Sequence, residues 1–201
     1  MKTLLLLRHS IPERTGSDPG LSADGIQLAE QVFQTELFRH VSVVWSSPAQ
    51  RAAQTAALLG LPVTLDARLL ERRTGDTTGQ DLSFWKRQYE DPDFKNPDGE
   101  SFREVRTRMS GCLQEIFSAL PDGGTALVVS HAAAICSVLQ TFCTVEVTDA
   151  ARKLRRITFQ GKVLLDGKLP PACCFVVCKS PTSVESCSFF RDFYKNVLTT
   201  F

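Results

Sequence analysis

The chain has 201 residues, 43% hydrophobic, 22% charged and 8% aromatic, and its 23 Lys and Arg balance 22 Asp and Glu to a formal net charge of +1. These values exclude a disordered or collagen-like chain and fit one globular domain over residues 1–201, long enough to bury a core without covalent staples. No run of like charge marks a nucleic-acid footprint, and no stretch has the length of a membrane span.

Leu4–Leu7 is an apolar run of only four residues that stops at Arg8-His9, so it reads as a strand and not as a secretory segment. The seven cysteines, at 112, 136, 143, 173, 174, 178 and 187, include no C-x-x-C pair. They read as reduced thiols of a cytoplasmic protein. Cys173, Cys174 and Cys178 lie in an apolar run with no histidine near, which favours core packing over a metal site.

In chain order, Thr3–Leu7 suits a strand buried on both faces. After a loop rich in Gly, Pro, Asp and Ser, residues 22–38 carry Ile26, Ala29, Val32, Phe33 and Leu37 at helical spacing. Val41–Trp45 predicts a second strand. Ser47-Pro48 then reads as an N-cap with proline at the first helical position of a helix reaching about Leu59. Ser101 and Glu104 form a capping-box pattern ahead of a long helix whose stripe is Phe102, Val105, Met109, Leu113, Ile116 and Leu120. Pro121-Asp122-Gly123-Gly124 ends it, Ala126–Val129 predicts a third strand, and residues 131–142 predict a helix. Residues 153–192 read as strand-rich, with breaks at Asp166-Gly167 and Pro170-Pro171. The alternation implies an α/β fold, a single-domain three-layer sandwich with a mostly parallel central sheet and helices on both faces.

Three polar motifs directly follow buried strands: Arg8-His9-Ser10, Ser46-Ser47-Pro48 leading to Arg51, and Ser130-His131. Strand carboxyl ends line the ligand crevice of an open α/β sheet, so the three can converge. Two helices open there, and their N-termini favour an anion. Arg39-His40 repeats the dipeptide but precedes the second strand, which places it at the opposite edge as a surface pair.

As an ordered set these motifs resemble the histidine phosphatase superfamily, also called phosphoglycerate mutase-like. Arg8-His9-Ser10 is similar to its nucleophile motif, normally Arg-His-Gly, and Leu21-Ser22-Ala23-Asp24-Gly25 to the helix start that follows. The segment from Ser46 to Ala56 is similar to its second motif, and Leu70-Glu71 with Gly75-Asp76 and Gly79 to its general-acid segment. Gly99-Glu100-Ser101-Phe102 and Val129-Ser130-His131 complete the set, which runs from residue 4 to about 178. The resemblance implies that His9 attacks phosphorus and that Arg8, Arg51 and His131 hold the phosphoryl oxygens. It also implies that Glu71 protonates the leaving group and then activates water, with no metal and no cofactor. Without the family motif, Glu71 reads equally well as a solvated carboxylate beside Arg72 and Arg73. The family's Gly-Glu-Thr-x-x-Asn is replaced here by Ser10, Ile11, Pro12 and Thr15, which leaves Ser10 and Thr15 as candidate substrate contacts. The usual Trp-Glu after Gly-Asp is Thr77-Thr78.

The leading expectation is a metal-independent phosphomonoester phosphatase, with a phosphohistidine intermediate, acting on a small phosphorylated metabolite. Ribazole phosphate, sugar phosphates and phosphoglycerate all fit that class. The rival is a phosphoglycerate mutase, favoured by Glu71-Arg72 and by Trp85-Lys86-Arg87-Gln88-Tyr89, which resemble mutase segments. Against it, five residues separate Gly79 from Trp85 and nine separate Tyr89 from Gly99, where mutases carry longer enclosing segments. A non-catalytic phospho-ligand-binding protein is the third reading. Residues 84–98 are a candidate cap over the pocket. Within it, Lys86 or Arg87 either grips a second anionic group of the substrate or is merely solvated.

Overall fold

The computed structural model describes residues 1–81, 83–180 and 183–190. The central sheet holds β1 (Lys2–Arg8), β2 (Val41–Ser46), β3 (Val63–Leu65), β4 (Thr125–Ser130), β8 (Cys174–Lys179) and β9 (Val184–Phe189), in the order β3-β2-β4-β1-β8-β9. The first four strands in that order run parallel, and β8 and β9 extend the sheet antiparallel at one edge. Helices α1 (Ala23–Phe33), α2 (Gln50–Ala57), α3 (Ser83–Glu90), α4 (Phe102–Ala119) and α5 (Ala132–Leu139) occur in the predicted alternation. Among the described residues no helix is long and apolar enough to cross a membrane.

Strand alternation divides β1 between two cores. Leu5 and Leu7 join Leu28 and Val32 of α1 and Ala52 and Ala56 of α2, while Leu4 and Leu6 join Met109 of α4 and Ile135 of α5. All four leucines are buried, each side chain contributing roughly 1.5–3 kcal/mol. Cys173 and Cys174 show the same division, one in each core. Burial pushes the Cys173 thiol up to about 12, as expected of a packing residue.

The structure departs from the sequence pattern in several places. Ile26 is 40% exposed, and Gly25, Leu28, Ala29 and Val32 form the inward face of α1. The helix after β2 begins at Gln50 with Ala49 as its cap, so Ser47-Pro48 belongs to the turn before it. The strand-rich C-terminal region supplies β8 and β9 to the main sheet, but β6 (Leu154–Phe159) and β7 (Lys162–Gly167) join β5 (Thr144–Asp149) in a separate antiparallel sheet. Its inner residues Val145, Ile157, Phe159 and Leu165 pack on the core that holds α4 and α5. The predicted capping box forms at Ser101 and Glu104.

Gly75 and Gly99 have a shared cause. Residues 73–76 and 97–100 run in contact, with Asp76 N–H donating to the Pro97 carbonyl (2.9 Å) and Glu100 N–H to the Arg73 carbonyl (2.8 Å). Gly75 has φ +75°, and a Cβ there would lie 2.3 Å from the Pro97 oxygen. Gly75→Ala is therefore expected to destabilise the protein by at least about 2 kcal/mol in urea titration, with a loosened 71–76 segment as the consequence.

Candidate active site

The carboxyl ends of β1, β2 and β4 meet at one edge of the sheet. His9 N–H donates to the Ser130 carbonyl (2.9 Å) and Ser47 N–H to the Val129 carbonyl (3.0 Å), which ties the three exits together. The His9 and His131 rings then lie edge to face with centroids 5.1 Å apart. Both are buried, at 7% and 0% exposure.

Their hydrogen bonds fix the proton positions. His9 Nδ1 is 2.7 Å from the Ser10 carbonyl oxygen, which can only accept, so Nδ1 carries the proton and Nε2 the lone pair. Arg51 Nε donates to that Nε2 (3.3 Å). Arg51 Nη2 meets His131 Nδ1 (3.3 Å), and a guanidinium can only donate, so the His131 proton sits on Nε2 and points to Ser47 Oγ (2.8 Å). Burial, with Arg8 and Arg51 adding to it against a Ser10 carbonyl that opposes, holds His9 down to about 3. Burial, then His9, Arg51 and Arg8, hold His131 down to about 2. Both rings are neutral at pH 7.

Arg51 also meets Asp18 Oδ1 through Nη1 (3.4 Å). Arg8 Nη1 donates to the Leu169 carbonyl, and Arg8 lines a cavity of about 710 Å³ whose wall also includes Ala132, so the chain neighbours of His9 and His131 border it while the rings themselves do not. Glu71 lines the same cavity. Its Oε1 accepts from the Arg72 N–H (2.8 Å) and Ala134 N–H (2.9 Å), and its Oε2 from the Ala133 N–H (3.2 Å). Arg108 holds the segment that carries Glu71. It donates to the carbonyls of Arg68 (2.6 Å), Leu70 (2.8 Å) and Glu71 (3.1 Å) while its Nε bonds Glu100 (2.9 Å).

The helix N-termini do meet negative charge, supplied by the chain itself. The Gln50 N–H at the start of α2 donates to Asp18 (3.1 Å), and the Ala133 and Ala134 amides of α5 donate to Glu71.

The chain matches the family model of the histidine phosphatase superfamily (branch 1) over residues 4–157. It belongs to that superfamily. A probable phosphoglycerate mutase GpmB of Cronobacter sakazakii is 34% identical over 152 residues, covering 69% of this chain and 70% of the relative. Among solved structures, a mycobacterial glucosyl-3-phosphoglycerate phosphatase has a TM-score of 0.68 at 22% identity, over 94% of this chain and 96% of that one. A phosphoserine phosphatase of Entamoeba histolytica, in complex with phosphoserine, has a TM-score of 0.68 at 20% identity, over 94% and 97%.

For a member of this superfamily the candidate residues fall into two groups. His9, Arg51 and His131 are hydrogen-bonded together at the strand ends and Arg8 and Glu71 line the cavity, whereas His40 is exposed just before β2. Ser10, Thr15, Lys86 and Arg87 do not join them. Ser10 is fully buried, its Oγ donating to the Gly25 carbonyl (2.7 Å) and its N–H to Thr55 Oγ1 (3.0 Å), so it anchors α1 and α2. Thr15 is exposed in the 13–18 loop. Segment 84–98 does supply a cavity wall, but through Phe84, Trp85, Gln88 and Tyr89. One helical turn cannot present every side chain inward. Lys86 pairs with Glu90 (3.2 Å) and Arg87 covers the Phe94 ring (4.7 Å), both away from the cavity.

Sequence reasoning missed Asp18, Arg108 and Arg155, and took Arg72 only as half of a mutase-like Glu-Arg pair. Arg155 was within reach of strand alternation, because Ile157 and Phe159 share its buried face while Arg156 points out to Asp166 (2.8 Å). The two neutral imidazoles make the fold acid-sensitive. Below pH 6.5 the unfolded chain binds protons that the folded chain refuses, so stability falls as pH drops from about 6.5 towards 3. The slope approaches roughly 1.4 kcal/mol per pH unit for each ring. Urea titrations of the wild-type protein at pH 4–7 should show that slope, and His131→Gln should flatten it.

Proposed function

We propose that this protein is a metal-independent phosphomonoester phosphatase working through a phosphohistidine at His9. The observation that carries the reading is the buried His9 whose Nε2 accepts from Arg51, a guanidinium that also reaches His131, while Arg8 and Ala132, the chain neighbours of the two rings, line a cavity that also holds Glu71. A neutral imidazole with its proton fixed on Nδ1 is ready to attack phosphorus, and the phosphoryl oxygens take over the Arg51 donors that now bridge the two rings. Arg8 and Arg51 supply fixed positive charge where the transition state spreads negative charge. His131 donates from Nδ1 only after gaining a second proton, and the incoming dianion favours that by opposing the depression that burial imposes. The P–O bond to the leaving group breaks as the N–P bond forms. Glu71, released from the α5 amides as the carboxylic acid with a proton taken from solvent, gives that proton to the leaving oxygen and then takes one from the water that cleaves the N–P bond.

The name carried by the Cronobacter relative favours a second reading, in which the phosphoryl group returns to another hydroxyl of the substrate and not to water. Incubation with 3-phosphoglycerate separates the two, since release of inorganic phosphate marks the phosphatase and formation of 2-phosphoglycerate the mutase.

His9→Ala is expected to abolish turnover of p-nitrophenyl phosphate and the acid-labile phosphoenzyme seen on rapid quenching with labelled substrate, whereas EDTA leaves the wild-type rate unchanged. Inactivation by EDTA with rescue by a divalent ion would contradict the metal-independent mechanism. Glu71→Gln should slow hydrolysis of an alkyl phosphate by about 10²–10⁴-fold but that of p-nitrophenyl phosphate far less, because a good leaving group needs little protonation. Equal slowing of both would remove Glu71 from the acid role.

A further inference from the structure

The cavity continues past Arg8 and Glu71 to a wall supplied by α3 and by the small sheet. Its cationic lining falls into two kinds. Arg152, Lys153 and Lys168 are exposed at the rim, where water screens them, but Arg72 and Arg155 are 4% and 5% exposed and still face the cavity. A guanidinium taken out of water needs counter-charge and acceptors for its five donors.

Neither arginine finds enough. Arg155 Nη1 reaches the Tyr89 hydroxyl (2.7 Å) and Cys136 Sγ (3.2 Å), and Nη2 reaches the Lys153 carbonyl at 3.5 Å. Among the described residues its Nε has no partner, and none of those acceptors is a carboxylate. Arg72 lies over the Phe102 ring (5.8 Å), and its Nε and Nη2 have no partner among the described residues either. Burial depresses the Arg72 guanidinium below the usual arginine value, against the pull of Glu71 and Glu100. Tyr89 sits between the two, its ring 5.6 Å from the Arg155 guanidinium and 4.7 Å from the Phe102 ring that Arg72 covers. The Arg155 guanidinium also lies over the Trp85 ring at 5.0 Å, and Trp85, tilted 59° against Tyr89, completes an aromatic wall.

We propose that Arg72 and Arg155 form a second anion subsite, so that the substrate is a phosphomonoester carrying a further oxyanion, a carboxylate or a second phosphate, across an apolar linker. The forked donors suit a bidentate oxyanion, and the aromatic wall suits the linker. This moves the second-anion role from Lys86 and Arg87 to two arginines that the fold buries. The inference rests on the proposed function only for which end of the ligand meets His9.

Non-hydrolysable phosphonates test it by calorimetric titration, independently of turnover. Wild-type protein should bind 4-carboxybenzylphosphonate at least about tenfold more tightly than benzylphosphonate, as a buried charged hydrogen bond allows. A 1,4-xylylene bisphosphonate arm distinguishes a carboxylate-selective subsite from a phosphate-selective one. The tight-to-weak ratio should collapse to within about threefold in Arg72→Met and Arg155→Met and persist in Lys168→Ala, which removes the same charge from the rim. Melting temperature checks folding. Should Arg155→Met fail to fold, Arg155→Lys keeps the charge, loses the fork and should still lower the ratio. No preference in the wild type, or equal collapse in Lys168→Ala, overturns the subsite in favour of none or of diffuse attraction. Lack of p-nitrophenyl phosphate turnover would instead overturn the proposed reaction and leave the binding result standing.

Discussion

The register of β1 against β4 is the constraint on which the rest of the site depends. Arg8 pairs with Ser130 in this parallel ladder, so the residues that leave the sheet next, His9 and His131, do so at the same level. The evenly spaced, slanted bonds of a parallel pair hold that level, and a slip of one residue would send one ring into the opposite layer. On the other side of β4, Ser46 pairs with Val129, which brings the turn before α2 to the same height. Arg51 then has both imidazoles within reach of one guanidinium. Four buried leucines of β1 set the register by hydrophobic contact on two faces, so the geometry of a polar site is determined by apolar packing beneath it.

The strand ends were legible because their signal is local. A continuous apolar run stopping at Arg-His, or at Ser-His, marks both a buried strand and the edge where it exits, and Arg39-His40 shows that the dipeptide alone marks nothing. Gly75 and Gly99 were legible as motif members, but the reason for them, two segments in van der Waals contact, exists only in three dimensions. The start of α2 was misplaced since Ser-Pro has the chemistry of a helix opening and of a turn alike, and the Val129 contact at Ser47 decides between them. Lys86 and Arg87 attracted attention as charges next to aromatics. Trp85 and Tyr89, one turn apart, are what the core takes from that helix, and the cations are turned outward as a result. Arg155 was hidden by Arg156, since a doublet on a strand reads as a charged surface until the faces are separated.

The charge arrangement explains how a cluster of arginines and neutral histidines can sit among carboxylates. Asp18 and Glu71 satisfy the opening amides of α2 and α5, where the helix dipole welcomes negative charge, and so both are held without consuming a guanidinium completely. Arg108 contributes from a distance. It spends its donors on the carbonyls of residues 68, 70 and 71 and on Glu100, which makes the loop carrying Glu71 an extension of α4. Ser130 Oγ adds a bond to the Leu69 carbonyl (2.8 Å), tying the same loop to the end of β4. The carboxylate is thereby positioned from two layers of the sandwich at once.

Two imidazoles kept neutral and two guanidiniums kept from water are features that a fold selected for stability alone would avoid, because each holds a polar group where solvation is poor. The two guanidiniums line one cavity, and so do Arg8 and Ala132, the chain neighbours of the two imidazoles. The small sheet supplies part of that cavity's wall: β6 delivers Arg155 itself, while Ile157 and Phe159 on the same strand face anchor it to the core beneath α4 and α5. Removing β5–β7 would leave the strand-end histidines in place and expose the wall opposite them. The central sheet therefore carries the candidate groups at its strand ends, and the added sheet carries a buried guanidinium of the cavity wall. The cavity is built from both sheets, and α3 joins them through Trp85 and Tyr89, whose rings lie against Arg155.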